Sequence, residues 1–119
     1  MAQFDGVRRV TPAEAMSRIP GPKQERFAAV FRHGSLEVEL YAPRGKDPQK
    51  PHSRDEVYVV IEGRGTFTIE GRSEPFGPGD FLFAPAGSEH RFEDFTEDLA
   101  VWVLFYGPEG GERSPSAAG

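Results

Sequence analysis

Hydrophobic and polar residues alternate with a period of two along much of this chain. In SLEVELY, Leu36, Val38 and Leu40 alternate with Glu37 and Glu39, a pattern typical of a half-buried β-strand. Further runs rich in β-branched and aromatic residues are EVYVVIE, TFTIE, FLFA and LAVWVLFY. Each run has the length of a strand and is too short for a long helix.

Glycine, proline and charged residues separate these runs. The segment 42–51, APRGKDPQKP, predicts a loop. Gly63-Arg64-Gly65 is predicted to turn a hairpin, and Gly71-Arg72 to make a second tight turn. Short strands separated by turns predict an all-β single domain, an antiparallel sandwich or barrel.

One short helix is expected near the N-terminus. Thr11 is a candidate N-cap, Pro12 follows it at the first helical position, and Glu14 completes a capping box. Pro20-Gly21-Pro22 must end this helix. We therefore divide the chain into an N-terminal arm with the short helix (1–24), a β-barrel (25–106) and a flexible C-terminal tail without large apolar residues (107–119).

Composition excludes several classes of function. The 119 residues carry a net charge of −5, and their 14 lysines and arginines form no basic stripe, so we expect no nucleic-acid partner. No stretch approaches the roughly 20 apolar residues of a membrane span, and we expect a cytoplasmic protein without a membrane partner. Because there are no cysteines, histidine, aspartate and glutamate are the strong metal ligands that remain.

Two of the three histidines supply the candidate chemistry. His52 and His90 each precede an apolar run and follow a Pro/Gly turn, whereas His33 is assigned to a surface turn. On a straight strand His52 and Glu56 would lie about 13 Å apart, so both can bind one ion only if residues 53–55 form a turn. Two imidazoles and one carboxylate would then form a metal site with open coordination positions.

Aromatic residues are expected to complete a substrate pocket beside this site. Tyr58 lies in phase with Glu56, and it is the candidate catalytic residue because its hydroxyl would face the substrate. The alternative is a tyrosine in the barrel wall that bonds to the backbone. Phe92 and Trp102 are further candidates for the pocket lining, since ligand sites in small barrels are mostly apolar.

These residues resemble the two sequence motifs of the cupin family. The first motif is matched by His52, Glu56 and Gly63, with Lys50 in the place of its first histidine. The second is matched by Gly79, Pro85, Gly87 and His90, with Asp94 in the place of its final asparagine. The resemblance spans roughly residues 35–106 and implies the cupin fold, a single-domain antiparallel β-barrel or jelly roll.

By this resemblance, His52, Glu56 and His90 would bind a divalent metal such as iron, manganese, nickel or zinc. A lysine ammonium has no lone pair to donate, so Lys50 leaves three arrangements open. The site keeps three protein ligands and water, or Gln49 supplies an amide oxygen, or Lys50 pairs with Glu56 in the metal's place and lines the pocket.

Two functions follow from these arrangements. One is a metal-dependent enzyme, of the dioxygenase, isomerase, lyase or cyclase type, that acts on a small oxygen-bearing organic molecule. The alternative is a metal-free barrel that binds a small ligand, with Lys50 replacing the metal. Since small cupins often pair through sheet edges, we also expect a homodimer.

Overall fold

The computed structural model describes residues 9–113, and strands form most of its regular structure. In chain order the elements are α1 (Pro12–Met16), β1 (Phe27–His33), β2 (Leu36–Tyr41), β3 (Asp55–Glu62), β4 (Gly65–Ile69), β5 (Arg72–Phe76), β6 (Phe81–Ala84), β7 (His90–Glu93) and β8 (Ala100–Tyr106). Within residues 9–113, no helix has the length and apolar character needed to cross a membrane.

Two antiparallel sheets pack face to face. The larger has the strand order β1-β2-β8-β3-β6, and the smaller has the order β5-β4-β7. Their shared core contains Tyr58 and Val101 from the larger sheet, and Phe67, Phe76 and Phe92 from the smaller. This arrangement confirms the predicted all-β jelly-roll barrel with a short N-terminal helix.

The inward face of the larger sheet carries the polar residues of interest. Glu39 pairs with Val103, and Val103 pairs with Tyr58 across the next strand. In the adjacent row Phe105 pairs with Glu56. Paired residues of neighbouring strands project to the same side of a sheet, so both rows point into the barrel.

The outward face of the same sheet is apolar and is partly covered by α1. Leu40 and Trp102 pair across β2 and β8, and both pack in a cluster with Ala15 of the helix. The capping box is confirmed, since Thr11 Oγ1 accepts the Glu14 amide at 3.1 Å and Glu14 Oε1 accepts the Thr11 amide at 2.9 Å. The alternation in SLEVELY therefore has its apolar side under the helix and its glutamates inward.

The turns between strands differ in two places from the sequence prediction. Gly63-Arg64-Gly65 does not turn a hairpin, because β3 pairs with β6 and β8 while β4 pairs with β5 and β7. These residues instead carry the chain from one sheet to the other. The β4–β5 turn is built on Glu70 and Gly71, whose φ values of 48° and 79° are both positive, one residue earlier than predicted.

The described part of the C-terminal tail bonds back to the barrel. Three main-chain amides of this segment donate hydrogen bonds. Gly107 N donates to Ser35 Oγ at 3.1 Å, Gly110 N to Ser53 O at 2.6 Å and Glu112 N to Asp55 Oδ2 at 2.8 Å. The flexibility expected of the tail stays a prediction, and these bonds are contacts that it would have to break between residues 107 and 112. Residues 1–8 and 114–119 lie outside the described residues, and the three-part division of the chain stays a prediction.

Gly63→Ala should destabilise the fold far more than Gly79→Ala. Both glycines have a positive φ, 97° and 89°, but a Cβ on Gly63 would lie 2.6 Å from Leu99 Cα, whereas one on Gly79 would meet nothing within 4 Å. We expect Gly79→Ala to lower the free energy of unfolding by about 1 kcal/mol through backbone strain. The clash should cost Gly63→Ala about 2 kcal/mol more. Urea unfolding of both variants measures the difference, and equal losses would contradict the expectation.

Candidate metal centre and cleft

Three side chains from separate parts of the chain meet inside the barrel. His52 lies before β3, Glu56 is the second residue of β3, and His90 opens β7. His90 Nε2 lies 3.1 Å and His52 Nε2 3.8 Å from Glu56 Oε1, and one ligand atom from each residue lies within 4.8 Å of the others. Donor atoms that share one ion through bonds of about 2.1 Å lie roughly 3 Å apart, so the spacing suits a single cation.

Local backbone structure brings the two histidines together. Residues 53 and 54 form the predicted bend, and Asp55 already belongs to β3. The amide of Gly87, in the turn before His90, donates to the carbonyl of His52 at 2.7 Å. The two histidine-bearing loops are therefore bonded directly to each other.

The atoms at the centre of the cluster lack ordinary hydrogen bonds. Glu56 Oε1 and His90 Nε2 are buried, and neither has a hydrogen-bond partner among residues 9–113, although they lie 3.1 Å apart. A buried carboxylate without compensation carries a large desolvation penalty. A divalent cation would satisfy both atoms, and two imidazoles with one carboxylate are a donor set that binds first-row divalent metals.

A backbone carbonyl on the far side of the ring orients His90 toward Glu56. Its Nδ1 lies 3.0 Å from the carbonyl oxygen of Ser88, which favours the proton on Nδ1 and leaves the Nε2 lone pair facing Glu56. Burial lowers the pKa of His90, but the contacts with Glu56 and the Ser88 carbonyl outweigh it, and the net shift is upward.

A hydrogen-bond network orients Gln49 in the cleft above this cluster. Tyr58 Oη donates to Gln49 Oε1 at 2.7 Å, and Gln49 Nε2 donates to Asp47 Oδ2 at 2.6 Å. Asp47 also accepts the Phe92 amide at 2.8 Å and the Tyr41 hydroxyl. Sequence reasoning missed Asp47, because an aspartate in a loop rich in proline and lysine gives no sign that it will accept three donors.

Three residues predicted to line the pocket lie elsewhere. Lys50 is exposed and does not line the cleft, whereas its neighbour Gln49 does. Phe92 is only 1% exposed and belongs to the core between the sheets. Trp102 alternates with the inward-facing Val103 and therefore packs on the outer face of the sheet.

Tyr58 is fully buried, and its hydroxyl proton is directed at Gln49. Burial, and next the charge of Glu56, raise the pKa of Tyr58 well above its ordinary value, so the phenol stays protonated at neutral pH. These contacts favour a role for Tyr58 in positioning Gln49, and its catalytic role stays a prediction.

Comparison with known families agrees with this geometry. Residues 37–106 match the family model described as the cupin domain. The chain belongs to the cupin family. The match includes the Glu56 and His90 positions and ends with the last strand of the barrel.

Several proteins are similar to this cupin. The uncharacterized protein SCO3923 of Streptomyces coelicolor is 40% identical over 85 residues, which cover 70% of this chain and 81% of that protein. Acireductone dioxygenase of Pseudomonas savastanoi pv. phaseolicola is 28% identical over 116 residues, which cover 76% of this chain and 64% of the enzyme. The crystal structure of a cupin 2 conserved barrel domain protein from Salinispora arenicola has a TM-score of 0.65 at 18% identity, over 85% of this chain and 90% of that one, a likeness of fold alone.

A cleft of about 630 Å³ leads from solvent to His52 and Glu56 of the candidate metal site. Such a volume suits a small organic molecule. The polar and charged residues that line it are Gln24, Glu25, Arg26, Glu39, Arg44, Lys46, Gln49, His52 and Glu56, and the aromatic ones are Phe27, Tyr41 and Phe105. Phe105 packs against one side of His52 in an edge-to-face contact, with 5.0 Å between the two ring centroids.

Glu39 is a second residue of the cleft that sequence reasoning missed. The alternation along β2 indicates two faces without showing which one turns inward, and Glu39 proves to lie on the inward face. Burial, reinforced by repulsion from Glu37, raises the pKa of Glu39 to about 7. Glu39 is therefore partly protonated at neutral pH.

The raised pKa of Glu39 predicts a pH-dependent stability of the metal-free protein. The folded state holds this proton more tightly than the unfolded chain, so Glu39 ionisation reduces stability as the pH rises from 4.5 to about 7. Glu39→Gln should match the wild-type melting temperature near about pH 4 and exceed it near about pH 8. Glu74→Gln, at an exposed position on β5, is the matched control. Parallel melting curves of Glu39→Gln and wild type across this range would count against the assignment.

Proposed function

We propose that this cupin is a metal-dependent enzyme that holds one divalent cation on His52, Glu56 and His90 and acts on a small oxygen-bearing organic molecule. The supporting observation is the convergence of two buried atoms without hydrogen-bond partners, Glu56 Oε1 and His90 Nε2, with His52 beside them. The cleft gives a small molecule access to the same point.

Dioxygenation is the reaction class that we favour. Two histidines and one carboxylate are the ligand set of non-haem ferrous oxygenases, and the similarity to an acireductone dioxygenase supports this choice. Ferrous iron bound here would supply Lewis acidity and the activation of dioxygen.

The protein's own residues would prepare the site for this chemistry. Glu56 provides a buried negative charge that neutralises part of the cation's charge, and the Ser88 carbonyl holds His90 in the ligating tautomer. Tyr58 and Asp47 fix the side-chain amide of Gln49, so its oxygen is the candidate fourth ligand. The aromatic ring of Phe105 packs against one side of His52 and would limit how that imidazole can turn, while the side chain stays 38% exposed.

Ligand binding without a metal has less support. That alternative required Lys50 to enter the pocket, but Lys50 is exposed. The homodimer stays a prediction.

Protein purified without an affinity tag should bind about one equivalent of iron, manganese, nickel or zinc on reconstitution. His90→Ala should abolish this binding because it removes a buried ligand, while His33→Ala, which removes a histidine from β1, should leave it intact. Elemental analysis after gel filtration measures the metal content. Metal far below one equivalent with every ion, in a folded protein, would refute the proposed metal site.

A pair of neighbouring substitutions tests which residue approaches the metal. Gln49→His should tighten metal binding by about tenfold or more, because an imidazole nitrogen is a better donor than an amide oxygen for these ions. Lys50→His should leave the affinity unchanged, since the side chain at this position is exposed. Competition with a chromogenic chelator measures both affinities. The reverse order would place residue 50, and not Gln49, at the metal.

A further inference from the structure

Apart from the metal centre, the cleft contains two adjacent arginines. Arg26 lies just before β1 and Arg44 in the loop after β2, and both line the cleft together with Lys46. Arg26 Nε donates to the Ala42 carbonyl at 2.8 Å, and Arg44 Nη1 donates to the same oxygen at 3.3 Å. One backbone oxygen therefore holds both guanidinium groups side by side.

The backbone fixes Arg44 more tightly still. Its Nη1 also lies within hydrogen-bond distance of the carbonyls of Pro43, at 2.9 Å, and Leu99, at 3.4 Å. The Lys46 amide donates to the Arg44 carbonyl at 2.8 Å across Gly45, whose φ of 78° is that of a γ-turn. This three-residue turn brings Arg44 and Lys46 to the cleft together.

These cations are not neutralised within the part of the chain that the structure describes. Arg26, Arg44 and Lys46 form no ion pair among residues 9–113, where the carboxylate partners belong to other cations. Burial, and next the charge of Arg44, lower the pKa of Arg26. Both guanidinium groups keep N–H groups that donate to no described residue, namely the two Nη of Arg26 and the Nη2 of Arg44.

The acidic residues of the cleft do not neutralise the charges of Arg26, Arg44 and Lys46. Glu25 Oε1 accepts the Lys23 amide at 2.7 Å, so its side chain folds back on its own turn. Glu39 has a pKa of about 7 and is partly neutral at physiological pH. Glu56 belongs to the metal cluster. The cleft therefore has a cationic end at the arginines and a metal-binding end at Glu56.

We propose that Arg26 and Arg44, with Lys46, bind a carboxylate group of the substrate while another part of the same molecule faces the metal centre. Guanidinium groups match the planar geometry of a carboxylate and bind it through paired hydrogen bonds. A monoanion suits the site better than a phosphate dianion, since the ionised fraction of Glu39 in the same cleft would repel a second negative charge. The second half of this assignment rests on the proposed function, whereas the carboxylate subsite stands without a metal.

Fluorine NMR on the metal-free protein tests the subsite separately from the metal. The probes are 4-fluorobenzoate, 4-fluorobenzamide and 4-fluorophenylphosphonate, which share one ring and differ in charge. We expect the benzoate to bind and the benzamide to bind at least about tenfold more weakly, because the amide lacks the charge-assisted contacts. Arg44→Gln and Arg26→Gln should each weaken benzoate binding about tenfold or more. Arg72→Gln on β5, with the same change of charge, should not.

Lysine variants at both positions guard against loss of folding. Arg44→Lys and Arg26→Lys keep the charge and should retain intermediate affinity. Equal binding of benzoate and benzamide, or unchanged benzoate binding in both glutamine variants, would overturn the subsite. Phosphonate binding tighter than benzoate binding would overturn the carboxylate assignment. If the arginine variants behave as expected but no metal binds, the proposed enzyme function fails and the subsite stands.

Discussion

One buried carboxylate determines how this barrel is organised. Glu56 is 1% exposed on a central strand, and an isolated anion at such a position is strongly disfavoured. The fold compensates by bringing two imidazoles to the same oxygen from separate loops, with a main-chain hydrogen bond between the loops. That arrangement leaves a place that a cation would fill. Apolar residues fill the barrel around Phe67 and Phe92, and this core adjoins the site directly, since the ring centroids of Phe67 and His90 lie 6.2 Å apart.

The fold could be predicted because its signals are local. Period-two alternation and turn residues identify strands without knowledge of their partners, and the capping box at Thr11 identifies the helix start. Strand β5 escaped the pattern, since its exposed residues and Pro75 give no apolar period at a sheet edge. The inward face of β2 could not be known either. Glu39 and Leu40 exchange roles according to which face α1 covers, and this is a tertiary property.

The candidate site likewise contains residues that could be predicted from the sequence and residues that could not. His52, Glu56 and His90 were predictable, because motif spacing fixes which strand ends they occupy and the required bend has a polar sequence. The orientation of Gln49 was not, because its amide bonds to Asp47, which also accepts the amide of Phe92 from a distant part of the chain. The arginines of the cleft escaped notice for a similar reason, since they become neighbours only by sharing one carbonyl oxygen.

The hydrogen bonds of the C-terminal segment have a practical consequence for handling the protein. Asp55 accepts the Glu112 amide through one carboxylate oxygen and the Ala86 amide through the other, while Gly110 bonds to Ser53 in the bend beside His52. A chain truncated after β8 would keep every helix and strand of the barrel but would lose the hydrogen bonds of Gly110 and Glu112. A shortened form of this domain should therefore extend at least to residue 112. A fusion partner joined before that residue would disturb the segment that carries His52.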